Sequence, residues 1–128
     1  MTDLGRPTSE PAIRTVAMPA DTNPNGDIFG GWLMAQMDTA GAVAAVRRAK
    51  GRVTTVAVAG MSFHQPVLVG DLVSCYAAIV KIGRTSLTVT VETWIDRGSD
   101  ESYKVTEGTF VYVALDDQGR PRPVDATA

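Results

Sequence analysis

The chain has 128 residues, 45% hydrophobic and 20% charged, a balance that fits one globular domain with a sizeable core. Twelve Lys and Arg against fourteen Asp and Glu leave a net charge of −2, which excludes a basic field for nucleic acid or an anionic membrane. One cysteine and one histidine exclude an intramolecular disulfide and a Cys/His zinc cluster, and they point to a reducing, cytoplasmic setting.

Residues 1–11 carry two prolines and no periodicity, so they read as a flexible lead without the apolar run of a signal peptide. Residues 12–18 form a short strand closed by Pro19. After the polar loop 20–28, a helix is predicted from Gly30 to about Lys50, with Gly51 at the position of a terminating glycine and Arg47, Arg48 and Lys50 in its last turn. That helix is apolar nearly all round, which predicts burial on most faces. Between Ile28 and Val46 its only charge is Asp38. A membrane span is disfavoured there, because a central Asp costs roughly 2.5–3.5 kcal/mol on insertion. Four strands follow at 52–64, 72–82, 85–95 and 103–115. The third alternates cleanly, with Leu87, Val89 and Val91 against Thr88, Thr90 and Glu92. Short links imply antiparallel hairpins. The expected fold is α+β, one antiparallel sheet curved around one long helix.

Most chemical signatures are absent: no Walker loop, HExxH, GxSxG or CxxC. Cys75 among apolar neighbours reads as a buried structural thiol, and His64 as an ordinary strand-end residue. What remains is DTNPNGDIFGGWLMAQMD, residues 21–38. Gly30 and Gly31 open the helix, where unpaired N–H groups carry the positive end of the dipole. They either present those groups to a carbonyl or oxyanion, or only permit close helix–sheet packing. Asp38 requires a raised pKa, a hydrogen-bond partner or a wet pocket, so it is either a general base or nucleophile, or a polar staple. Eight positions separate Gly30 from Asp38, about 12 Å along one helix, so the two cannot act on one carbonyl. If both are catalytic, two antiparallel copies of the helix must share each site.

The segment MPADTNPNGDIFGGWLMAQMD, continued through RVTTVAVAGMSFHQPVLVGDLVSCYAAIVKIGRTSLTVTVETW and GRPRP, resembles the hotdog-fold acyl-CoA thioesterases of the YciA-like hydrolase type. The resemblance implies one hotdog domain over 12–123, a tail at 124–128, and hydrolysis of acyl-CoA to CoA and a carboxylic acid. It implies Asp38 as general base or nucleophile, Gly30 with Gly31 as the oxyanion site, Asn23 as orienter of water or thioester, and Thr55 as a hydroxyl supporting the acid. Many relatives have His before the glycine pair; Phe29 stands there and removes a side-chain donor. Arg84, Thr85 and Ser86 of the GRTS turn, with Lys81, match the position that meets CoA, although a solvated hairpin is the plain alternative. The implied assembly is a homodimer as smallest active unit, in a trimer of dimers. No metal or cofactor is implied, since CoA belongs to the substrate. Two other classes are a non-catalytic acyl-CoA-binding hotdog module, which would lack the acid, and a dehydratase, which would pair a His with an acid.

Overall fold

The structure, a computed structural model, describes residues 5–125. Strand β1 spans Ile13–Val16, helix α1 Gly30–Ala49, and strands β2 to β5 Val53–Phe63, Leu72–Ile82, Ser86–Arg97 and Glu101–Ala114. All pairs are antiparallel, in the order β1-β3-β4-β5-β2. The expected elements are therefore present in order, within a few residues of their predicted ends.

Alternation positions the core. Leu87, Val89 and Val91 of β4 turn inward and are fully buried, beside Val73 and Cys75 of β3 and Phe110 and Tyr112 of β5. Against them α1 lays Leu33, Met37, Ala40, Gly41, Ala45 and Ala49, one face at helical spacing. Its small residues let the helix sit close to the sheet, and each large apolar side chain buried contributes about 1.5–3 kcal/mol. Helix α1 packs on all five strands, and two register shifts in β2, one beside Gly60, help bend the sheet around it. The opposite helix face departs from the expectation of all-round burial: within one chain Met34 and Val46 stay exposed.

The helix ends differently from the sequence reading as well. The left-handed residue is Lys50 (φ 55°), not Gly51. Gly51 is small for another reason. A Cβ there would lie 2.6 Å from Arg122 Nη2, which donates to the last-turn carbonyl of Ala49 at 2.8 Å. Buried Arg122, from the GRPRP stretch, thus caps the negative end of the helix.

Both chain ends are more engaged than composition suggests. In the flexible lead expected over 1–11, residues 1–4 lie outside the described residues, but Arg6 is held on the outer sheet face. It makes a two-pronged pair with Asp96 (2.6 and 3.1 Å), donates to Ser102, and stacks near Tyr76 and Trp94. That guanidinium holds the Asp96 carboxyl below its ordinary range. Of the tail 124–128, residues 126–128 are outside the described residues, whereas Val124 is buried and its N–H donates to the Arg84 carbonyl.

Candidate active site

Asp38 sits on the part of α1 that crosses β2 and β5. Its Oδ1 accepts from the Thr55 hydroxyl at 2.7 Å and lies 3.0 Å from the Tyr112 hydroxyl, which is also 2.8 Å from the Asp38 backbone carbonyl. Thr55 and Tyr112 are register partners on neighbouring strands, so two adjacent strands hold one carboxylate oxygen. Oδ2 has no partner among the described residues and remains open as a base or nucleophile. Burial first, then the adjacent carboxylate, pushes the Tyr112 phenol up, which keeps it a neutral donor.

Tyr112 was not legible as a site residue, because a buried strand tyrosine reads as core. The signal that points to it is Gly41. A glycine inside a helix costs about 1 kcal/mol relative to Ala, and here the added Cβ would stand 2.2 Å from the Tyr112 hydroxyl. The glycine is the notch through which Tyr112 reaches Asp38. Gly41→Ala is therefore expected to push Tyr112 off the acid and to destabilise the fold by about 1–3 kcal/mol. A denaturant midpoint shift at unchanged slope, with reduced turnover, checks it; wild-type values for both would refute the notch.

The other residues singled out by the sequence lie elsewhere on the chain. Asn23, Gly30, Asp27, His64 and Gln65 line a cleft of about 340 Å³ floored by Ile28, Leu33 and Val67. Asn23 Oδ1 accepts the backbone N–H groups of Asn25 (2.9 Å) and Asp27 (3.1 Å), which closes the loop and fixes the amide. Its NH₂ is left without a partner among the described residues, so Asn23 can only donate to a ligand oxygen. The first backbone N–H bonded to the Phe29 carbonyl is that of Trp32, which leaves the N–H groups of Gly30 and Gly31 without a partner among the described residues at the helix start. A Cβ on Gly31 would meet nothing within 4 Å, so packing in one chain does not require this glycine. His64, expected as a plain strand-end residue, forms part of the cleft wall.

The third group is the β3–β4 turn. Gly83 N–H donates to the Ser86 carbonyl at 2.8 Å, and the Arg84 and Thr85 carbonyls accept from Val124 and Ala114 at 2.9 Å each. The turn backbone is thus held on three sides. Lys81 and Arg84 are exposed, Thr85 and Ser86 half-buried, and neither cation joins an ion pair among the described residues. Leu87, three positions after Arg84, pairs with Tyr112, which puts the turn at the same end of the sheet as the Asp38 support.

One chain therefore brings Asp38, Thr55, Tyr112 and the Arg84 turn to one end, while Asn23 and Gly30 line a cleft that does not include Asp38. A curved antiparallel sheet on one central helix is the hotdog architecture, and residues 25–101 match the thioesterase superfamily model: the chain belongs to the thioesterase superfamily. Within it, the chain falls among the YciA acyl-CoA thioester hydrolases. It is 55% identical over 122 residues to acyl-CoA thioester hydrolase YciA of Salmonella typhimurium, covering 92% of each chain. It is also similar to the solved hexameric thioesterase of Yersinia pestis (56% identity, TM-score 0.86, covering 91% of this chain and 96% of that one). A hexameric hotdog-fold thioesterase of Campylobacter jejuni matches at 40% identity and TM-score 0.88, covering 92% of each chain. No helix among the described residues is long and apolar enough to cross a membrane.

Proposed function

We propose that this chain hydrolyses acyl-CoA thioesters to CoA and a carboxylic acid, at sites each built from two copies. The observation that carries the reading is the Asp38 carboxylate, with one oxygen held by Thr55 and Tyr112 and the other open. As general base, Asp38 removes a proton from water as the oxygen adds to the thioester carbonyl. The N–H of Gly30, assisted by Gly31, and the Asn23 amide receive the oxyanion. Collapse breaks the C–S bond, and protonated Asp38 returns its proton to the CoA thiolate. As nucleophile, Asp38 would expel the thiolate directly and leave a mixed anhydride for water to open. The chemistry needs water and no metal or cofactor.

Several features support a dimer as the smallest active unit. Strand β2 is an edge strand of eleven residues, exposed along most of its length and carrying Val56 and Val58. A second β2 added antiparallel along this edge would carry Asp38 of one copy toward the partner's cleft. The hexameric relatives fit a trimer of such dimers here. Fully buried Cys75, its thiol pushed up by burial, suits a reducing, cytoplasmic location.

The reading is tested by CoA release from a panel of acyl-CoA substrates; absence of turnover on all of them would refute it. The Arg84 turn gives a second expectation. If Arg84 pairs with CoA phosphates, Arg84→Ala weakens CoA thioesters by about 1.5–3 kcal/mol, chiefly in KM. Pantetheine thioesters, which lack the nucleotide, should be nearly unaffected. An equal loss on both substrates would move the nucleotide site away from Lys81, Arg84, Thr85 and Ser86.

A further inference from the structure

The cleft of Asn23 and Gly30 holds one group that the mechanism above leaves unused. His64 is the chain's only histidine. Its backbone is clamped: His64 N–H donates to the Val105 carbonyl at 2.8 Å, Arg97 Nη2 to the Pro66 carbonyl at 3.3 Å, and Ile28 N–H to the Val67 carbonyl at 2.9 Å. The last bond ties the 64–67 segment to the residues that lead into α1. Next to it the Phe63 ring lies 3.4 Å from where a Gly30 Cβ would stand, so the end of β2 is seated on the first turn of the helix. His64 is exposed and lines the cleft, and its imidazole is without a hydrogen-bond partner among the described residues.

We propose that His64 is a further catalytic residue, whose imidazole donates a hydrogen bond to the thioester oxygen as that atom gains charge, beside Gly30 N–H and the Asn23 amide. The inference rests on the reading of this cleft as the thioester site. No proton leaves the imidazole; it acts as a donor carried on a backbone that is held at the cleft wall. Among the cleft residues the one carboxylate is Asp27, from the loop ahead of α1. From β5, Glu107 lies opposite Ser62 and is paired with Lys104, which also faces Glu92 of β4.

The test compares kcat and KM of the wild type, His64→Gln and His64→Ala on one short acyl-CoA at one fixed pH. His64→Ala is expected to lose about 10- to 100-fold, mostly in kcat. His64→Gln keeps a side-chain N–H donor and should recover most of that loss. Near-wild-type rates for His64→Ala, in a wild type that does hydrolyse the substrate, overturn the role of His64 alone. An inactive wild type overturns the thioesterase reading instead. Should the variants fail to fold, the wild type carries the test, because its single histidine gives one imidazole Cε1–H signal. A ketone analogue of a short acyl-CoA should shift that signal on saturation; an unmoved signal overturns the proposal.

Discussion

Asp38→Asn is expected to lower turnover at least 100-fold, within the ~10²–10⁴ range of acid–base catalysis, while the fold and CoA binding persist. The geometry makes this an informative variant. Thr55 and Tyr112 both offer hydroxyls to Oδ1, and an amide oxygen accepts from them as a carboxylate oxygen does. The side chain therefore keeps its orientation and size. What changes is the open oxygen, which becomes an NH₂ that can neither take a proton from water nor attack a carbonyl. CoA release under saturating substrate reads the loss, and CoA affinity measured separately shows that the pocket survives. Hydrolysis at near-wild-type rate would remove Asp38 from both the base and the nucleophile routes.

Mixing two dead variants should restore activity. Asp38→Asn spoils one half of every site and Asn23→Ala the other. In a heterodimer that shares its sites, one site collects both defects and the other has none, so activity returns to about half of the wild-type value per heterodimer. At equal amounts with complete exchange, heterodimers make up about half of the dimers, which gives about a quarter of wild-type activity in the mixture. Differently tagged chains must first show that subunits exchange. A fully exchanged mixture that stays as inactive as its parents would mean that each site is built from a single chain.

The local features of the fold were legible because each has a local cause. The β4 alternation is a period of two, the α1 stretch lacks it, and Gly83-Arg84 marks a turn that the Gly83–Ser86 bond closes. What could not be read is which strand finds which. That β1 joins β3, and β2 crosses to β5, follows from packing on the helix and from no residue pattern. The site divides in the same way. Asp38 and Gly30 stood out because an acid in an apolar helix and glycines at its start conflict with their surroundings, whereas Asn23 was singled out only by the family resemblance. Tyr112 did not conflict with its strand, and only the contact across 74 residues gives it a role. Gly51 was misread for a related reason: its cause is Arg122, 71 positions later (122 − 51), rather than the helix end itself.

The pairing of β2 with β5 also sets the order in which this chain can be completed during synthesis. Within one chain β2 has a single neighbour, and that neighbour ends at Ala114, 51 residues after Phe63 (114 − 63). At ribosomal rates of ~5–20 residues per second, β2 waits roughly 3–10 s with both edges open. For that interval the nascent chain presents an apolar helix and an unpaired strand, the form that holding chaperones recognise and that neighbouring nascent chains can capture. Arg122 arrives later still, so its bond to the Ala49 carbonyl at the C-terminal end of α1 forms only after β5 has been made. Transcripts cut short anywhere before that point should yield no partial fold that survives proteolysis, and the cell loses the protein entirely rather than in part.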